Sequence, residues 1–553
     1  MSVVVALESR LPDVSRVDRW LYAGHDAAWR IKAEAGPLAS LPRLDVADRL
    51  QETAWRLREP FAEWVGELGR RNDSLEWWAS QLAARTSYTR LFERICMLAV
   101  ARDTLATQTT GTTLVVCSSP ALASEIARRE GAAAFEPPAA QKSALGPLLT
   151  RAWTRFAPLP LHGAPARLRP GAQFVVDQDP RHRHAVLRRH RIRPRPFGGP
   201  GTVLLVTWVD GRSFRADGGY VDPHLGPLAE MLRERGLTVA HLAHVLPSIA
   251  YADAVRRLAA SDETFLLPDA YLSLDDHRLS ARRASAFVPA IDPAATVAGV
   301  PVAALAAEHI EEHRASQASY LVHERLLRRF AEHEVRPERL VHPCEGHAWE
   351  LVLAWAARRH LPDTTVVGYE NLNMSRLALS MYPARAERGI RPLPDRLVAN
   401  GPAFRDVLVS EGWAETVVRA GCGLRHEALW HHEPSGRGHE SGGPPLRVLV
   451  AGEITLGPSV ELADKAIAAF AEDPGVELTM KCHPLLPRSQ VTRALGSRAD
   501  ALRFDDRPML GQLADADLLL YTYTAVCVEA LALGVPPVFI RSDSTLDLDQ
   551  LEV

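Results

Sequence analysis

Short apolar runs alternate with amphipathic helical segments in two stretches of the chain, residues 201–424 and 446–553. The first stretch contains the strand-like TVLLVTWV, the helix-like DPHLGPLAEMLRERG and the strand-like LTVAHLAHV, and the second repeats this pattern from LRVLVAGE to VPPVFIR. Alternation with short connections is typical of parallel, doubly wound sheets. The sequence therefore predicts an α/β fold with two Rossmann-like domains facing a cleft.

Residues 1–200 show a different pattern. Apolar residues recur at helical spacing from about 45 to 107, and TTLVVCSS at 112–119 predicts one buried strand followed by a helix. Arg, His, Pro and Gly dominate residues 158–200, which is typical of a linker or a long surface loop. We therefore predict a helix-rich N-terminal part of the first domain, with a helical insertion. A Gly- and Pro-rich break at 425–445 separates the two α/β domains.

Length and composition exclude several classes of protein. A chain of 553 residues should hold two or three domains, at roughly 100–200 residues each. The net charge of −3 gives no support for nucleic-acid binding. Scattered cysteines without a CxxC pair predict reduced thiols and a cytoplasmic protein. The N-terminal apolar run is too short for a signal peptide, and we expect no transmembrane helix.

Groups suited to phosphate follow three predicted strands of the last domain. A His after a strand and before a Pro points into the cleft, where its imidazole can donate to a phosphate oxygen. A Thr at the start of a helix lies beside free N–H groups that attract anions, although most such threonines only cap the helix. The candidate phosphate-binding residues are Gly452, Glu453, Ser459, Lys481, His483, Pro484, Thr522, Thr524 and Glu529.

Two of these segments carry a resemblance. MKCHP (480–484), followed by YTYTAVCVEALALGVPPVF (521–539), resembles the C-terminal domain of bacterial GT-B glycosyltransferases with an HP motif and a Ser/Thr pair. That group includes polysialyltransferases, Kdo transferases and CDP-glycerol polymer synthases. Upstream, HPCEGHAWELVLAWAARRHLPDTTVVGYEN (342–371) and NDSLEWWASQLAARTSYTRLFERICML (72–98) are similar to a bacterial surface carbohydrate biosynthesis family.

The resemblance implies an inverting, metal-independent transfer without a cofactor. A nonulosonic or Kdo-type sugar would move from a CMP-linked donor to a surface glycan or its lipid-linked precursor. His483 would stabilise the departing phosphate, assisted by Thr522 and Thr524. The 201–424 domain would bind the acceptor, and the 446–553 domain would bind the nucleotide-sugar.

An inverting reaction also needs a base on the facing domain. Glu345 is the first candidate, Asp210 the second and Glu370 the third, because each follows a predicted strand. The position of Glu345 fits equally well an acid that only stabilises the N-terminus of the following helix. The candidate acceptor pocket consists of His347, Glu370 and Asn371.

Several alternatives remain open from the sequence. Glu370-Asn371 stands where the family pattern leads us to expect Gln-His, and the C-terminal helices that cross back in GT-B proteins are expected to be missing or short. A CDP-glycerol-type polyol-phosphate transferase, a UDP-sugar epimerase and a non-catalytic scaffold are the rival functions. The Arg-rich stretch 181–195 is typical either of a solvated linker or of a surface for anionic lipid headgroups, which would place the protein at the inner face of the membrane.

We predict that transfer needs no metal. The one DxD triplet that follows an apolar run, Asp177-Gln178-Asp179, leads into an Arg- and His-rich run whose charge repels a divalent cation. EDTA should therefore leave sugar transfer unchanged. Loss of transfer that Mg²⁺ or Mn²⁺ restores would contradict this prediction.

Overall fold

The computed structural model describes residues 2–131, 176–215, 217–430 and 445–552. Its first unit is a small parallel sheet covered by helices. The elements of this unit are β1 (Ser2–Leu7), β2 (Arg19–Ala23), α1 (Ala27–Glu34), α2 (Ala47–Asn72), α3 (Leu75–Trp78), α4 (Gln81–Ala84), α5 (Leu91–Ala106), β3 (Thr112–Cys117) and α6 (Pro120–Glu130).

The N-terminal unit corrects the predicted helical insertion. Strand β3 lies between β1 and β2, and both pairings are parallel. The helices therefore cover a three-stranded sheet of their own. Only β3 was expected, because β1 and β2 are short and pair with a strand that lies 110 and 94 residues further along the chain (Ser2 with Thr112, Arg19 with Thr113).

The middle unit contains the longest sheet. Its elements are α7 (Pro180–Arg189), β4 (Phe197–Val209), α8 (Leu228–Glu234), β5 (Thr238–Val245), α9 (Tyr251–Ala260), β6 (Phe265–Leu266), α10 (Pro268–Tyr271), α11 (Leu274–Ala286), β7 (Thr296–Val297), β8 (Val300–Pro301), α12 (Ala303–Glu312), α13 (Arg314–Glu332), β9 (Val335–Cys344), α14 (Ala348–His360), β10 (Thr365–Glu370), β11 (Arg396–Ala399), α15 (Pro402–Ser410) and β12 (Val418–Ala420).

Seven strands of the middle unit form a doubly wound parallel sheet in the order β12-β11-β10-β9-β4-β5-β6. The chain runs outward from β4 to β6 on one side and from β9 to β12 on the other. The strand order therefore reverses between β4 and β9, which are neighbours in the sheet. Ligands of such sheets bind beyond the carboxyl ends of the strands at this switch point.

A loop was predicted for residues 158–200, but the described part, residues 176–200, contains a helix and the start of a strand. Helix α7 covers Pro180–Arg189, with Asp179 as its N-cap, and β4 begins at Phe197. Buried Val186 and Leu187 pack this helix against α9. The Arg-rich stretch 181–195 is thus partly a docked helix. Residues 158–175 lie outside the described residues.

The C-terminal unit is a second doubly wound sheet. Its strand order is β15-β14-β13-β16-β17, so the order reverses between β13 and β16. The expected α/β fold with Rossmann-like parallel sheets is confirmed. The elements are β13 (Leu446–Ala451), α16 (Leu456–Phe470), β14 (Val476–Lys481), α17 (Arg488–Leu495), β15 (Arg503–Phe504), α18 (Met509–Asp515), β16 (Leu518–Tyr521), α19 (Val526–Ala532) and β17 (Pro537–Phe539).

The three units share contacts rather than standing apart. One hydrophobic core joins α2 and α5 of the N-terminal unit to α12 and α14 of the middle unit. Arg30 in α1 forms a buried ion pair with Glu461 in α16, at 2.8 Å between Nη2 and Oε1. No helix occurs within residues 540–552, yet this segment crosses back to the N-terminal unit, where Gln51 Nε2 donates to Thr545 O at 3.0 Å.

A buried carboxylate lies between two arginines where the N-terminal and middle units meet. Glu387 binds Arg85 and Arg391, with N···O distances of 2.8 and 3.1 Å, and the side chains of Arg85 and Glu387 are 0% exposed. The arginines also donate to backbone carbonyls across the contact, Arg85 to Tyr382 and Arg391 to Ala83. We call Arg85, Glu387 and Arg391 the ionic anchor.

No helix in the described parts of the chain combines the length and apolar composition needed to cross a bilayer.

We predict that Glu387→Gln lowers the free energy of unfolding by about 3–5 kcal/mol, because two buried guanidinium groups lose their carboxylate. Urea unfolding followed by circular dichroism measures the change. The matched control is Glu59→Gln, since Glu59 pairs with Arg385 from the same short 3₁₀ segment as Glu387, but both side chains are exposed (60% and 72%). The control should cost less than about 1 kcal/mol. Equal effects would contradict a role for the ionic anchor.

Candidate functional site

The strand order reverses between β4 and β9 in the middle sheet and between β13 and β16 in the C-terminal sheet, and these two switch points face one cleft. The N-terminal unit also lines this cleft. A cavity of about 90 Å³ lies against the ends of β13 and β16, lined there by Glu453, Thr522 and Tyr523. Tyr88 and Arg90 of the N-terminal unit close its other side. Glu453 and Thr522 follow the two strands between which the strand order reverses. The cavity thus lies where a doubly wound sheet binds its ligands.

His483 follows β14 and is held as a neutral imidazole. Its Nδ1 accepts from the backbone N–H of Leu485 at 3.1 Å, so the remaining proton is on Nε2. Burial, together with the positive charges of Arg212 and Arg425, lowers the pKa of His483 to about 4 against the opposing effect of Asp210. These charges belong to the middle unit, so His483 faces the carboxyl end of the middle sheet.

Arg212 is held in place by the second candidate base. Asp210 accepts from Arg212 Nη2 at 2.7 Å and from Nε at 3.0 Å, and its side chain is only 3% exposed. A carboxylate bound in this way is a poor acceptor for a substrate proton. The structure assigns Asp210 the position of a support for Arg212.

Arg425 is a half-buried guanidinium that forms no ion pair with a carboxylate among the described residues. Within residues 2–131, 176–215, 217–430 and 445–552, its one short hydrogen bond runs from Nη1 to the backbone carbonyl of Asn371, at 3.4 Å. Burial lowers the pKa of Arg425, while Glu529 and Glu345 raise it from a greater distance. The half-buried imidazole of His224 is close enough to Arg425 and Arg212 for both charges to lower its pKa. Two guanidiniums and two imidazoles therefore converge on one part of the cleft.

Glu345 follows β9 and is bound on both carboxylate oxygens. His347 Nε2 donates to Oε2 at 3.1 Å, and Asn371 Nδ2 donates to Oε1 at 2.9 Å. Burial would raise the pKa of Glu345, but the hydrogen bonds from His347 and Asn371 and the nearby imidazoles outweigh it and lower the pKa to about 2. Glu345 is therefore a carboxylate throughout the physiological pH range.

His347 lies between Glu345 and Tyr88 of the N-terminal unit. Tyr88 Oη is 2.9 Å from His347 Nδ1 and 3.2 Å from His347 Nε2. Burial would lower the pKa of His347, but the hydrogen bond and charge of Glu345, together with the charge of Glu350, raise it. His347 and Asn371, both predicted to line an acceptor pocket, thus contact the first candidate base.

Glu370, the third candidate, is 2% exposed and accepts from the backbone N–H of Asn400 at 2.8 Å. Burial raises its pKa to about 7. It ends β10, next to β9, so it lies at the same sheet edge as Glu345. Its carboxyl group is enclosed by protein and is less accessible from the cleft than His347 and Glu345, which are 18% and 20% exposed.

In the loop after β13, the hydroxyl of Ser459, a predicted phosphate-binding residue, is bonded to the protein backbone instead. Ser459 is 0% exposed, and its hydroxyl both accepts from the N–H of Glu453 and donates to the carbonyl of Glu453, each at 3.0 Å. It therefore closes the loop and has no free donor for a phosphate. Gly452 N donates to Lys481 O at 2.9 Å, so these two strand ends lie side by side. The start of α16 is covered, since a Cβ on Gly457 would lie 3.3 Å from Ala27 N.

Glu453 itself lines the cavity and is 7% exposed. Burial raises its pKa to about 7, although the charge of Arg90 and a hydrogen bond from Thr455 oppose this. Near neutral pH its carboxyl group can therefore both donate and accept.

The residues after β16 differ from the prediction in one respect. Thr522 lines the cavity, and its buried Oγ1 has no hydrogen-bond partner among the residues that the structure describes. Helix α19 begins one residue later than expected, so Ala525 is the N-cap and Thr524 Oγ1 accepts from Val526 N at 3.4 Å.

Glu529 lies 3.5 Å from His426, and this contact joins α19 to the end of the middle unit. Pro484 is exposed, and Lys481 is not among the charges that act on His483.

Two groups of side chains among the described residues have the spacing for a metal ion. They are His309, Glu312 and His313, and His342, Cys344 and Glu350. In each group the carboxylate already has partners, because Arg94 binds both oxygens of Glu312, and the backbone N–H groups of Glu345 and Gly346 donate to Glu350.

The predicted DxD triplet also has structural contacts. Asp179 caps α7 by accepting from Arg181 N at 2.9 Å, and Asp177 accepts from Tyr251 N at 3.3 Å.

Four residues of the site were not predicted: Tyr88, Arg212, His224 and Arg425. Arg212 stands two residues after Asp210, and its proximity to a strand end was a usable signal. Arg425 was assigned to the Gly- and Pro-rich break at 425–445, but a 3₁₀ segment at Leu424–Leu429 holds it against the cleft. Residues 431–444 of that break lie outside the described residues.

No protein-family profile matches the chain, and no curated protein matches it in sequence. Similar solved structures include S. aureus MnaA with UDP (13% identity, TM-score 0.35, covering 63% of this chain and 80% of that one). A UDP-GlcNAc 2-epimerase from Neisseria meningitidis bound to UDP-GlcNAc has 12% identity and a TM-score of 0.37, with coverages of 62% and 83%. The glycotransferase of kitacinnamycin has 16% identity and a TM-score of 0.35, with coverages of 64% and 82%. TM-scores this low carry no argument about activity.

We predict that Glu453→Gln stabilises the protein by about 2–3 kcal/mol more at pH 8 than at pH 5. The pKa of Glu453 is raised in the folded state from about 4.5 to about 7, so folding becomes less favourable as the pH rises through this window, and glutamine removes that dependence. Urea unfolding at both pH values measures the difference. The exposed Glu472→Gln on the same domain should show no such gain. A pH-independent effect of Glu453→Gln would contradict the prediction.

Proposed function

We propose that the chain is a GT-B glycosyltransferase that moves a sugar from a nucleotide-linked donor to a glycan. The observation that carries the proposal is His483, a neutral imidazole with its proton on Nε2, opposite Arg212 and Arg425 of the facing sheet. Such a set of donors suits the phosphate of a nucleotide-sugar, whose negative charge grows as the bond to the sugar breaks.

The donor half of the reaction is proposed to use the C-terminal unit. His483 Nε2 and the hydroxyl of Thr522 donate to phosphate oxygens, and Arg425 supplies a positive charge that no carboxylate in the described part of the chain neutralises at short range. A guanidinium stabilises the leaving phosphate more as its charge increases, and this difference lowers the barrier. The nucleoside would enter the cavity beside Glu453 and Tyr523.

The resemblance of MKCHP and YTYTAVCVEALALGVPPVF favours a nonulosonic or Kdo-type sugar linked to CMP. It also favours a surface glycan or its lipid-linked precursor as the acceptor, a cytoplasmic location and reaction without a metal. Contact with the inner face of the membrane through residues 181–195 is a further part of this proposal, since α7 ends in Arg188 and Arg189.

The second candidate is a UDP-sugar epimerase, the rival function left open by the sequence that also uses two Rossmann-like domains. An epimerase needs no acceptor. Incubation with UDP-GlcNAc alone therefore separates the two functions. A CDP-alcohol donor would indicate the polyol-phosphate transferase, and a chain that binds no nucleotide would indicate a scaffold.

We predict that CMP raises the melting temperature more than CDP, UDP or GDP. A ligand at one hundred times its Kd adds about 2.7 kcal/mol to the folded state. Arg425→Gln and His483→Ala should each reduce the shift, because both remove a phosphate partner. Arg419→Gln is the control, since Arg419 is an exposed arginine on β12. A shift with UDP alone, together with epimerisation of UDP-GlcNAc, would replace the proposed transferase.

A further inference from the structure

On the acceptor side of the cleft, the imidazole of His347 is better placed to take a proton from an acceptor hydroxyl than any of the three candidate carboxylates. Glu345 already receives hydrogen bonds from His347 and Asn371, and Asp210 is occupied by Arg212. Glu370 is almost fully enclosed. His347 differs because its Nε2 is bound to the carboxylate of Glu345, while among the described residues Nδ1 has only the hydroxyl of Tyr88 within hydrogen-bond distance, and Tyr88 is 54% exposed.

We propose that His347 is the catalytic base and that Glu345 is its positioning residue. This inference rests on the proposed glycosyl transfer and names the proton acceptor of that same site. Glu345 accepts the Nε2–H of His347, which leaves Nδ1 unprotonated, 2.9 Å from a Tyr88 Oη that also lies 3.2 Å from Nε2. The hydroxyl of an acceptor sugar takes the place of the Tyr88 hydroxyl at Nδ1.

The step balances without any further reagent. The acceptor oxygen forms a bond to the anomeric carbon, and its proton passes to His347 Nδ1. The bond between the anomeric carbon and the donor phosphate oxygen breaks, and its electron pair stays on the phosphate, facing His483. The imidazolium of His347 beside the Glu345 carboxylate then loses its proton to water. The carboxylate thus stabilises the charged ring that the reaction creates.

Contacts around the pair preserve this arrangement. The hydroxyl of Ser380 donates to the backbone carbonyl of Glu345 at 2.8 Å, and the Asn371 amide holds the second carboxylate oxygen. The titratable and charged groups that face the pair are Tyr88 from the N-terminal unit, Glu350 from α14, His224 and Arg425 from the middle unit, and Tyr523 from the C-terminal unit. Burial raises the pKa of Tyr523, so this phenol remains protonated.

The first experiment tests the pair without requiring turnover. Diethyl pyrocarbonate acylates neutral imidazole, and peptide mass spectrometry gives the extent of reaction at His347 as a function of pH. Removal of the negative charge by Glu345→Gln should move the midpoint of this curve to lower pH by at least one unit. Coincident curves for the wild type and Glu345→Gln would overturn the proposal that Glu345 acts on this ring.

The second experiment tests catalysis. CMP release from CMP-N-acetylneuraminate and from CMP-Kdo is measured with water or added oligosaccharide as acceptor. His347→Asn should lower kcat about 10²–10⁴-fold with little change in KM. Glu345→Gln should lower kcat less and shift the acid limb of the pH profile to lower pH, because the base must be neutral to act. A greater loss in Glu345→Gln than in His347→Asn would make Glu345 the base and overturn the proposal.

The matched control is His360→Asn. His360 also lies 2.9 Å from a glutamate, Glu324, but at the end of α14 remote from the cleft, so its loss should leave kcat unchanged. Failure of the wild type to release CMP from either donor would count against the proposed donor class. The acylation curves would still decide whether Glu345 controls His347, so the two failures are distinguishable.

Discussion

The ionic anchor holds the geometry of the turn that carries Glu345 and His347. Buried Glu387 binds Arg85 of the N-terminal unit and Arg391 of the middle unit, and Arg391 also donates to the carbonyl of Ser380 at 3.0 Å. The Ser380 hydroxyl in turn holds the backbone of Glu345. Gly346, at a φ of +76°, lies so close to the Ser380 carbonyl that any side chain there would collide with it. A charge cluster outside the cleft thus fixes the turn that carries Glu345 and His347.

The two large sheets were predictable because their strands are apolar runs joined by short helical connections. The strand ends that carry His483, Glu345 and Thr522 followed directly, since parallel strands place their carboxyl ends along one edge. The small N-terminal sheet was not predictable. Its central strand β3 pairs with β1, and registers such as Ser2 with Thr112 join residues that local periodicity does not relate.

The chemistry of the candidate site was less predictable than its position, because it depends on partners from distant parts of the chain. Residues separated by 259 positions meet when Tyr88 contacts His347. Glu345 and Asp210 were chosen as candidate acids because each follows a predicted strand. Their hydrogen-bond partners, His347 and Arg212, are seen only in the folded structure. Ser459 was chosen for its hydroxyl, whose bonds to the backbone of Glu453 depend on how the loop closes.

Tyr88 has a consequence for the order of events in the cleft. Its ring lines the cavity at the C-terminal switch point, and its hydroxyl caps His347 at the middle switch point. One side chain therefore contacts both halves of the cleft. If the proposed transfer displaces the phenol from His347, the wall of the neighbouring cavity changes as well. Under that proposal, occupancy of the two halves is thermodynamically coupled through a single residue that belongs to neither large sheet.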